Sequence, residues 1–326
     1  MRNRFVRTAV AFGAAAALTM GMAACGSDTS GGGSAESGSD DGAAAAGGDY
    51  KVALLVSTLN NPFFVDLRDG AQDAAKDAGI KLEVSDAQND SITQANQAQD
   101  AKSQGYDAVI INPVDSDAAG PSVQELIDAG IPVISVDRTV EGVEVTSHIA
   151  SDNVAGGEQA AVALAAAMSD AGEAVVLQGV PGTSASRDRG EGFETGISAF
   201  SDITVVAKQT ANFDRAEGLD VTTNLLQAHP GVTGIFAEND EMALGAVQSL
   251  GSRAGSDVMV FGFDGTEDAL DAIEAGTMVG TIAQQPRLLG ATAVETALAI
   301  LKGDTVDTVV DVPVTTVTKE NVADFK

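Results

Sequence analysis

From residue 51 to residue 317 the sequence alternates between two hydrophobic patterns, and that alternation leaves few folds open. Short apolar runs of strand length fall at 51–56, 81–84, 108–112, 133–136, 174–177, 203–207, 234–237, 258–261 and 278–282, with a strand-like 309–317 at the end. Helical spacing fills the intervals, beginning at Pro62 and then over 92–104, 118–129, 153–168, 187–200, 216–228, 240–250, 267–275 and 288–301. An apolar run without period-2 alternation is how a strand covered on both faces reads. Such strands separated by helices predict parallel sheets with crossover connections. The unit of strand, polar turn and helix recurs in both halves. The part able to fold, about 49–326, has the length of two domains of roughly 100–150 residues. The expected class is therefore α/β, as two similar doubly wound parallel-sheet lobes.

The residues before 49 read differently. Arg2, Arg4 and Arg7 precede a mostly apolar, Ala-rich run over 9–20 that is too short for a membrane span. Small residues then lead to Cys25, the only cysteine in the chain. Residues 1–24 are expected to be a signal peptide. Met22-Ala-Ala-Cys25 resembles a bacterial lipobox, which implies lipidation of Cys25 as the sole membrane attachment. Residues 26–48 are mostly Gly, Ser, Ala and Asp with no bulky apolar side chain, so 25–48 reads as a lipidated cysteine and flexible linker. The formal charge of −29 argues against nucleic acid and against lying on anionic lipid.

The first strand shows where a site forms. Lys51 to Val56 runs into the polar turn 57–61, and Pro62 opens a helix with Asn61 at the capping position. Phe64, Leu67, Ala71, Ala74 and Ala78 mark that helix's core stripe, and Phe63 lies off it. In open α/β sheets ligands bind at the carboxyl ends of the strands. Ser57, Asn61, Phe63, Phe64, Asp137, Arg138, Arg189, Phe213, Asn239, Asp264 and Gln284 all stand at such ends or at the start of the next helix. Taken as one site they supply aromatic rings, two carboxylates, two guanidiniums and several amides. Planar polar groups bridge neighbouring hydroxyls, and rings cover the C–H face of a sugar. No Gly-rich loop with its lysine is present for phosphate. A neutral polyol fits best.

Each position has a plainer reading. Asn61 and Asn239 read equally as helix caps, and Asp137-Arg138 as a surface ion pair. Arg189, among Arg187, Asp188 and Glu191, reads as part of an exposed salt-bridged helix face. Asp214 and Glu217 read as a capping pair, with Phe213 as a staple whose partner position is only Gly218. Asp264-Gly265 is an ordinary turn pair. The shared location at strand ends is what makes the set stronger than its members.

Several of these segments carry a family resemblance. Val56-Ser-Thr-Leu-Asn-Asn-Pro-Phe-Phe64, Asn112-Pro-Val-Asp-Ser-Asp117, Ser147-His-Ile-Ala-Ser-Asp-Asn153, Gly182-Thr-Ser-Ala-Ser-Arg-Asp-Arg-Gly-Glu-Gly-Phe193, Phe213-Asp-Arg215, Ala237-Glu-Asn-Asp-Glu-Met-Ala-Leu-Gly245 and Gly262-Phe-Asp-Gly-Thr266 resemble the type I periplasmic sugar-binding proteins of ABC importers, in particular those for ribose. The resemblance covers 49 to about 312. It implies lobes that close on a sugar about a three-strand hinge, with the eleven residues above lining the pocket. It places the crossings near 151–152, 284–285 and 312–313. The N-terminal lobe is then 49–151 plus 285–312, and the C-terminal lobe 152–284 plus 313–326. It implies delivery of ribose to a permease and its ATPase by a monomer on the extracellular face of the cytoplasmic membrane, with no cofactor. Allose, xylose, galactose or inositol, or a role as a sugar-presenting sensor, are the alternatives. The lipobox, the tether and Gln285-Pro286-Arg287 depart from the family pattern.

Other functions fit worse. Gly182-Thr-Ser184-Ala-Ser186 lacks the second glycine of a hydrolase elbow, and the histidines, His148 and His229, read as structural. No enzyme is expected. Cys and His are too few for a zinc site, and 115–117 lacks a calcium-loop pattern. A regulator would need a basic helix-turn-helix ahead of the first strand, where an acidic linker stands.

Overall fold

A computed structural model describes residues 49–326. The expected signal peptide, Cys25 and the linker lie outside the described residues. The alternating pattern forms two six-stranded sheets of one strand order. In the first, β1 (Lys51–Val56), α1 (Pro62–Ala78), β2 (Lys81–Asp86), α2 (Ser91–Ser103), β3 (Ala108–Ile111), α3 (Gly120–Asp128), β4 (Val133–Val136) and β5 (Ser147–Ser151) follow in sequence. In the second come α4 (Asn153–Ala167), β6 (Gly172–Gln178), α5 (Ser184–Ile197), β7 (Ile203–Thr210), α6 (Arg215–Ala228), β8 (Val232–Ala237), α7 (Asp240–Leu250), β9 (Met259–Asp264), α8 (Glu267–Ala275) and β10 (Gly280–Ala283). Then α9 (Pro286–Lys302) packs back onto α1, β11 (Val309–Val312) joins the first sheet and β12 (Thr315–Thr318) the second.

The strand orders are β2-β1-β3-β4-β5-β11 and β7-β6-β8-β9-β10-β12. Every pairing is parallel except β10 with β12. The burial explains the apolar runs. Val52, Leu54 and Val56 enter one core cluster, and Ala53 and Leu55 enter the cluster on the opposite face. In β6, Val175 and Leu177 divide from Ala174 and Val176 in the same way. Each fully buried Val, Leu or Ile contributes roughly 1.5–3 kcal/mol, so both faces of each sheet are held by apolar burial.

Three expectations change. The periodicity shows no strand at 147–151, because Ser147 and His148 break the apolar run; β5 is nonetheless the link by which β11 joins the first sheet. The single terminal strand 309–317 is two, broken at Pro313, whose missing N–H ends a ladder, and they lie in different sheets. In α1 the buried set is Phe63, Phe64, Leu67, Gly70, Ala71 and Ala75, so Phe63 belongs to the core and Ala74 and Ala78 are only partly covered.

Candidate functional site

The carboxyl ends of the two sheets face one another. Asn61 accepts the Phe63 N–H (2.9 Å) and so caps α1, and Pro62 fixes the first turn. That turn projects Phe63 and Phe64 edge to face, 5.2 Å between centroids. After β4 the chain turns through Asp137 at φ 66° to Arg138. Both side chains are only 3% exposed, which removes the reading as a surface pair. Asn112, one residue past β3, donates to Asp137 Oδ2 (3.0 Å) and accepts the Ser57 N–H (3.2 Å). Arg138 Nη1 donates to the carbonyls of Pro113 (3.0 Å) and Val114 (3.3 Å). Its Nε lies 3.6 Å from Asp137 and makes no hydrogen bond. Burial pulls the Arg138 guanidinium below its ordinary range, with Asp137 opposing and Arg189 assisting.

The second lobe supplies the other half. α5 begins at Ser184, earlier than its periodicity shows, with Thr183 as cap. Its Arg189 is buried, not part of an exposed face; Arg187 takes the surface contacts with Asp188 and Glu141. Arg189 Nε donates to Asn153 Oδ1 (2.9 Å) and Nη1 to the Glu238 carbonyl (2.7 Å). The guanidinium lies 3.9 Å from the Phe263 ring and 3.5 Å from Asp264. Phe213, at φ 59°, lays its ring where a side chain at Gly179 would stand. Asp214 does cap α6, accepting from Glu217 N, but the Phe213 ring stands over Gly179 and lines the cavity while Gly218 meets Met242, so the staple reading of Phe213 fails. Asn239 caps α7 and donates to the Phe213 carbonyl (3.3 Å). Asp264 ends β9 at φ 131° and accepts from Gln284 Nε2 (2.8 Å). Burial raises the Asp264 carboxyl well above the usual carboxylate range, against the pull of Arg189 and with help from Asp240 and Asp137.

These side chains line one small cavity between the two sheets. Nine of the eleven residues line it: Asn61, Phe63, Phe64, Asp137, Arg138, Arg189, Phe213, Asn239 and Asp264. Ser57 and Gln284 lie outside the lining, both buried; each keeps one side-chain oxygen without a hydrogen bond. Ala185 lines the cavity unforeseen, because helical spacing does not mark α5's first turn. Helical and strand spacing do not mark Asn112, Asn153, Glu238 or Phe263 as supports. Asn112 alone had a readable signal, a polar residue closing an apolar strand.

Three lining residues, Asp137, Phe213 and Asp264, have positive φ. Non-glycine residues there are held by their surroundings and gather at functional sites. Beside the cavity the lobes touch directly. Ser116 N donates to Gly182 O (2.9 Å), Ser184 N to Ser116 Oγ (3.2 Å) and Thr139 N to Ser184 Oγ (2.9 Å). Among the described residues no helix is long and apolar enough to cross a membrane.

Two doubly wound lobes meeting over an enclosed polar and aromatic cavity define a solute-binding protein. Residues 52–305 match the model of the periplasmic binding protein domain, and the chain belongs to that family. It is 50% identical over 255 residues to the ribose import binding protein RbsB of Escherichia coli (strain K12), covering 78% of this chain and 86% of that one. It is 46% identical to the protein of the same name from Bacillus subtilis (strain 168), over 81% of this chain and 86% of the relative. Among solved structures it is similar to an ABC transporter periplasmic solute binding protein from Actinobacillus succinogenes with bound D-allose. That match has a TM-score of 0.80 at 34% identity and covers 84% of this chain and 99% of the other.

Proposed function

We propose that this chain is the ribose-binding component of an ABC importer, trapping one sugar between its lobes. The carrying observation is the cavity: three phenyl rings, two carboxylates, two guanidiniums and two amides converge on it from both lobes. The relatives at 50% and 46% identity bear ribose in their names, which favours ribose over the other sugars.

In this reading the lobes are 49–151 with 285–312 and 152–284 with 313–326. Ribose hydroxyls bridge Asp137, Arg138 and Asn61 on one side and Arg189, Asn239 and Asp264 on the other. The rings of Phe63, Phe64 and Phe213 cover its C–H faces. Full bonding needs both lobes together, so sugar shifts the open–closed balance toward closure. The closed form is what a permease and its ATPase receive, from a monomer. Residues 1–24 direct export, and a lipid on Cys25 with the tether to 48 holds the receptor outside the cytoplasmic membrane. The same binding chemistry would serve a sensor.

A thermal-shift panel of ribose, allose, xylose, arabinose, galactose, fructose and inositol tests the reading. Ribose at about a hundred times its dissociation constant stabilises the fold by roughly 2.7 kcal/mol. Allose is the informative competitor, since a structural relative holds it. A panel in which no sugar moves the transition sinks the sugar reading; a larger shift with allose reassigns the ligand.

A further inference from the structure

We propose that Asp240, which does not line the cavity, is the positioning residue that fixes Asp264 toward the sugar, and that its charge faces Asp264. The inference rests on the reading of the cavity as a sugar site.

Asp264 (φ 131°) and Gly265 (φ 82°) are consecutive residues in conformations that side chains rarely adopt. Something must hold that turn. Its carbonyl side is pinned by the Gln284 N–H, which donates to the Asp264 carbonyl (2.8 Å). Its amide side is pinned by Asp240. One carboxylate oxygen of Asp240 accepts the N–H of Gly265 (2.8 Å), the N–H of Thr266 (2.8 Å) and the Thr266 hydroxyl (3.2 Å). The other accepts the Thr281 hydroxyl (2.7 Å). Successive backbone N–H groups converging on one oxygen form an anion-binding concavity, and here the anion is a side chain.

The surroundings are shaped for this carboxylate. Asp240 and Thr281 have no solvent exposure. Thr281 is the register partner of Gly262 in the β9–β10 ladder, and a Cβ at Gly262 would collide with Asp240 Oδ1. Four donors converge on this one buried acid, and a side chain beside it is excluded, so it grips the turn. That turn aims Asp264 at Arg189, 3.5 Å away.

Charge adds a second effect. Asp264 is faced by Arg189 from α5, Gln284 after β10, Asp137 and Arg138 after β4 and Asp240 from α7. Arg189 favours its ionised form; the two aspartates oppose it. Removing the charge of Asp240 without its acceptor therefore lets Asp264 stay ionised to lower pH.

The test compares Asp240→Ala and Asp240→Asn by ribose titration calorimetry across pH, with a crystal structure of each variant. Asp240→Ala is expected to lose at least about thirty-fold in affinity, as for a charged group displaced from its buried partners. Its Asp264 should leave positive φ and turn from Arg189. Asp240→Asn keeps an oxygen for both N–H groups and an amide for Thr281, so it recovers most of that loss. Its acid limb of affinity moves to lower pH. An alanine variant that binds like the wild type, or keeps Asp264 in place, overturns the inference. If the alanine variant does not fold, the asparagine variant decides alone, and an unmoved acid limb overturns it. A wild-type chain that binds no sugar refutes the reading of the cavity, while positioning is still decided by the Asp264 conformation in the two structures.

Discussion

Each lobe brings one arginine and one aspartate to the cavity, and the two pairs are built in opposite ways. Asp137 and Arg138 are neighbours on one turn, so the first lobe delivers both charges with a single loop. Arg189 and Asp264 come from a helix and a strand end, and meet only because β6, β8 and β9 are aligned. The supports differ accordingly. Arg138 rests on two carbonyls of one short segment, 113–114. Arg189 bridges Asn153, the Glu238 carbonyl and Asp264, from three separate elements, with Phe263 beneath it. The first pair depends on one turn; the second depends on the whole lobe. Removing a charge from the second should therefore disturb the fold more.

The largest effect tests that asymmetry directly. Arg189→Ala leaves the Asn153 side chain and the Glu238 carbonyl without their buried donor and Asp264 with Gln284 alone and no balancing charge, and breaking such an arrangement costs about 3–5 kcal/mol. Arg138→Ala leaves two carbonyls and Asp137, which keeps Asn112 as a donor. Urea unfolding of both variants without sugar should show the Arg189 variant as the less stable. The reverse order would break the comparison. Both variants should lose ribose binding.

Glu238 sharpens the contrast, because its counterpart in the first lobe, Asn112, which takes the Ser57 N–H as Glu238 takes the Gly179 N–H, carries no charge. Its carboxylate accepts from Gly179 N (2.7 Å) and the Ser186 hydroxyl, and its other oxygen is buried without a partner. Burial pushes its pKa up from 4.5 to about 7. The folded chain thus holds a proton that the unfolded chain releases near 4.5. This contribution to stability is full below pH 4.5 and is lost as pH rises to about 7, by at most on the order of 3 kcal/mol. Glu238→Gln keeps an acceptor for both donors and removes the ionisation. Unfolding at pH 5 and pH 8 should show a smaller fall for the variant than for the wild type. Equal falls would mean that Glu238 does not carry the charge penalty.

The same asymmetry explains what was legible in the sequence. Buried strands are continuous apolar runs, and each turn chemistry is local, so the two sheets and the first-lobe site could be read along the chain. Asn61 and Phe64 follow β1 directly, and Asp137-Arg138 follow β4. The second-lobe supports were not legible. Asn153 lies 36 residues from Arg189 and Glu238 lies 49 away, so no local pattern joins them. β5 escaped because a strand of five residues with two polar ones at its start has no clear period. Asp240 escaped because an acid in the first turn of a helix already has a sufficient reason to be there.

Asn112→Ala has a smaller expected effect, confined to the first lobe. It strips the Ser57 N–H and Asp137 of their partner, and a buried group left unsatisfied costs about 1–3 kcal/mol. Because both atoms lie at the cavity wall or just behind it, ribose affinity should fall alongside stability. A loss of stability with unchanged affinity would show that Asp137 keeps its place without Asn112.

The smallest effect concerns the seam where the two constructions meet. Ser184 Oγ accepts the Thr139 N–H (2.9 Å), and Ser184 N donates to Ser116 Oγ (3.2 Å), so one residue ties α5's first turn to two loops of the first lobe. Ser184→Ala removes only the first contact. The hydroxyl bond exists only when the lobes are together, so its loss acts on the closed form and leaves each lobe's core alone. About 0.5–1.5 kcal/mol is expected, the worth of one neutral hydrogen bond. It should appear as faster sugar dissociation with unchanged urea stability of the sugar-free chain. Stopped-flow release of ribose measures it. An unchanged release rate would place the energy of closure in the cavity charges alone, and the seam would then be contact without consequence.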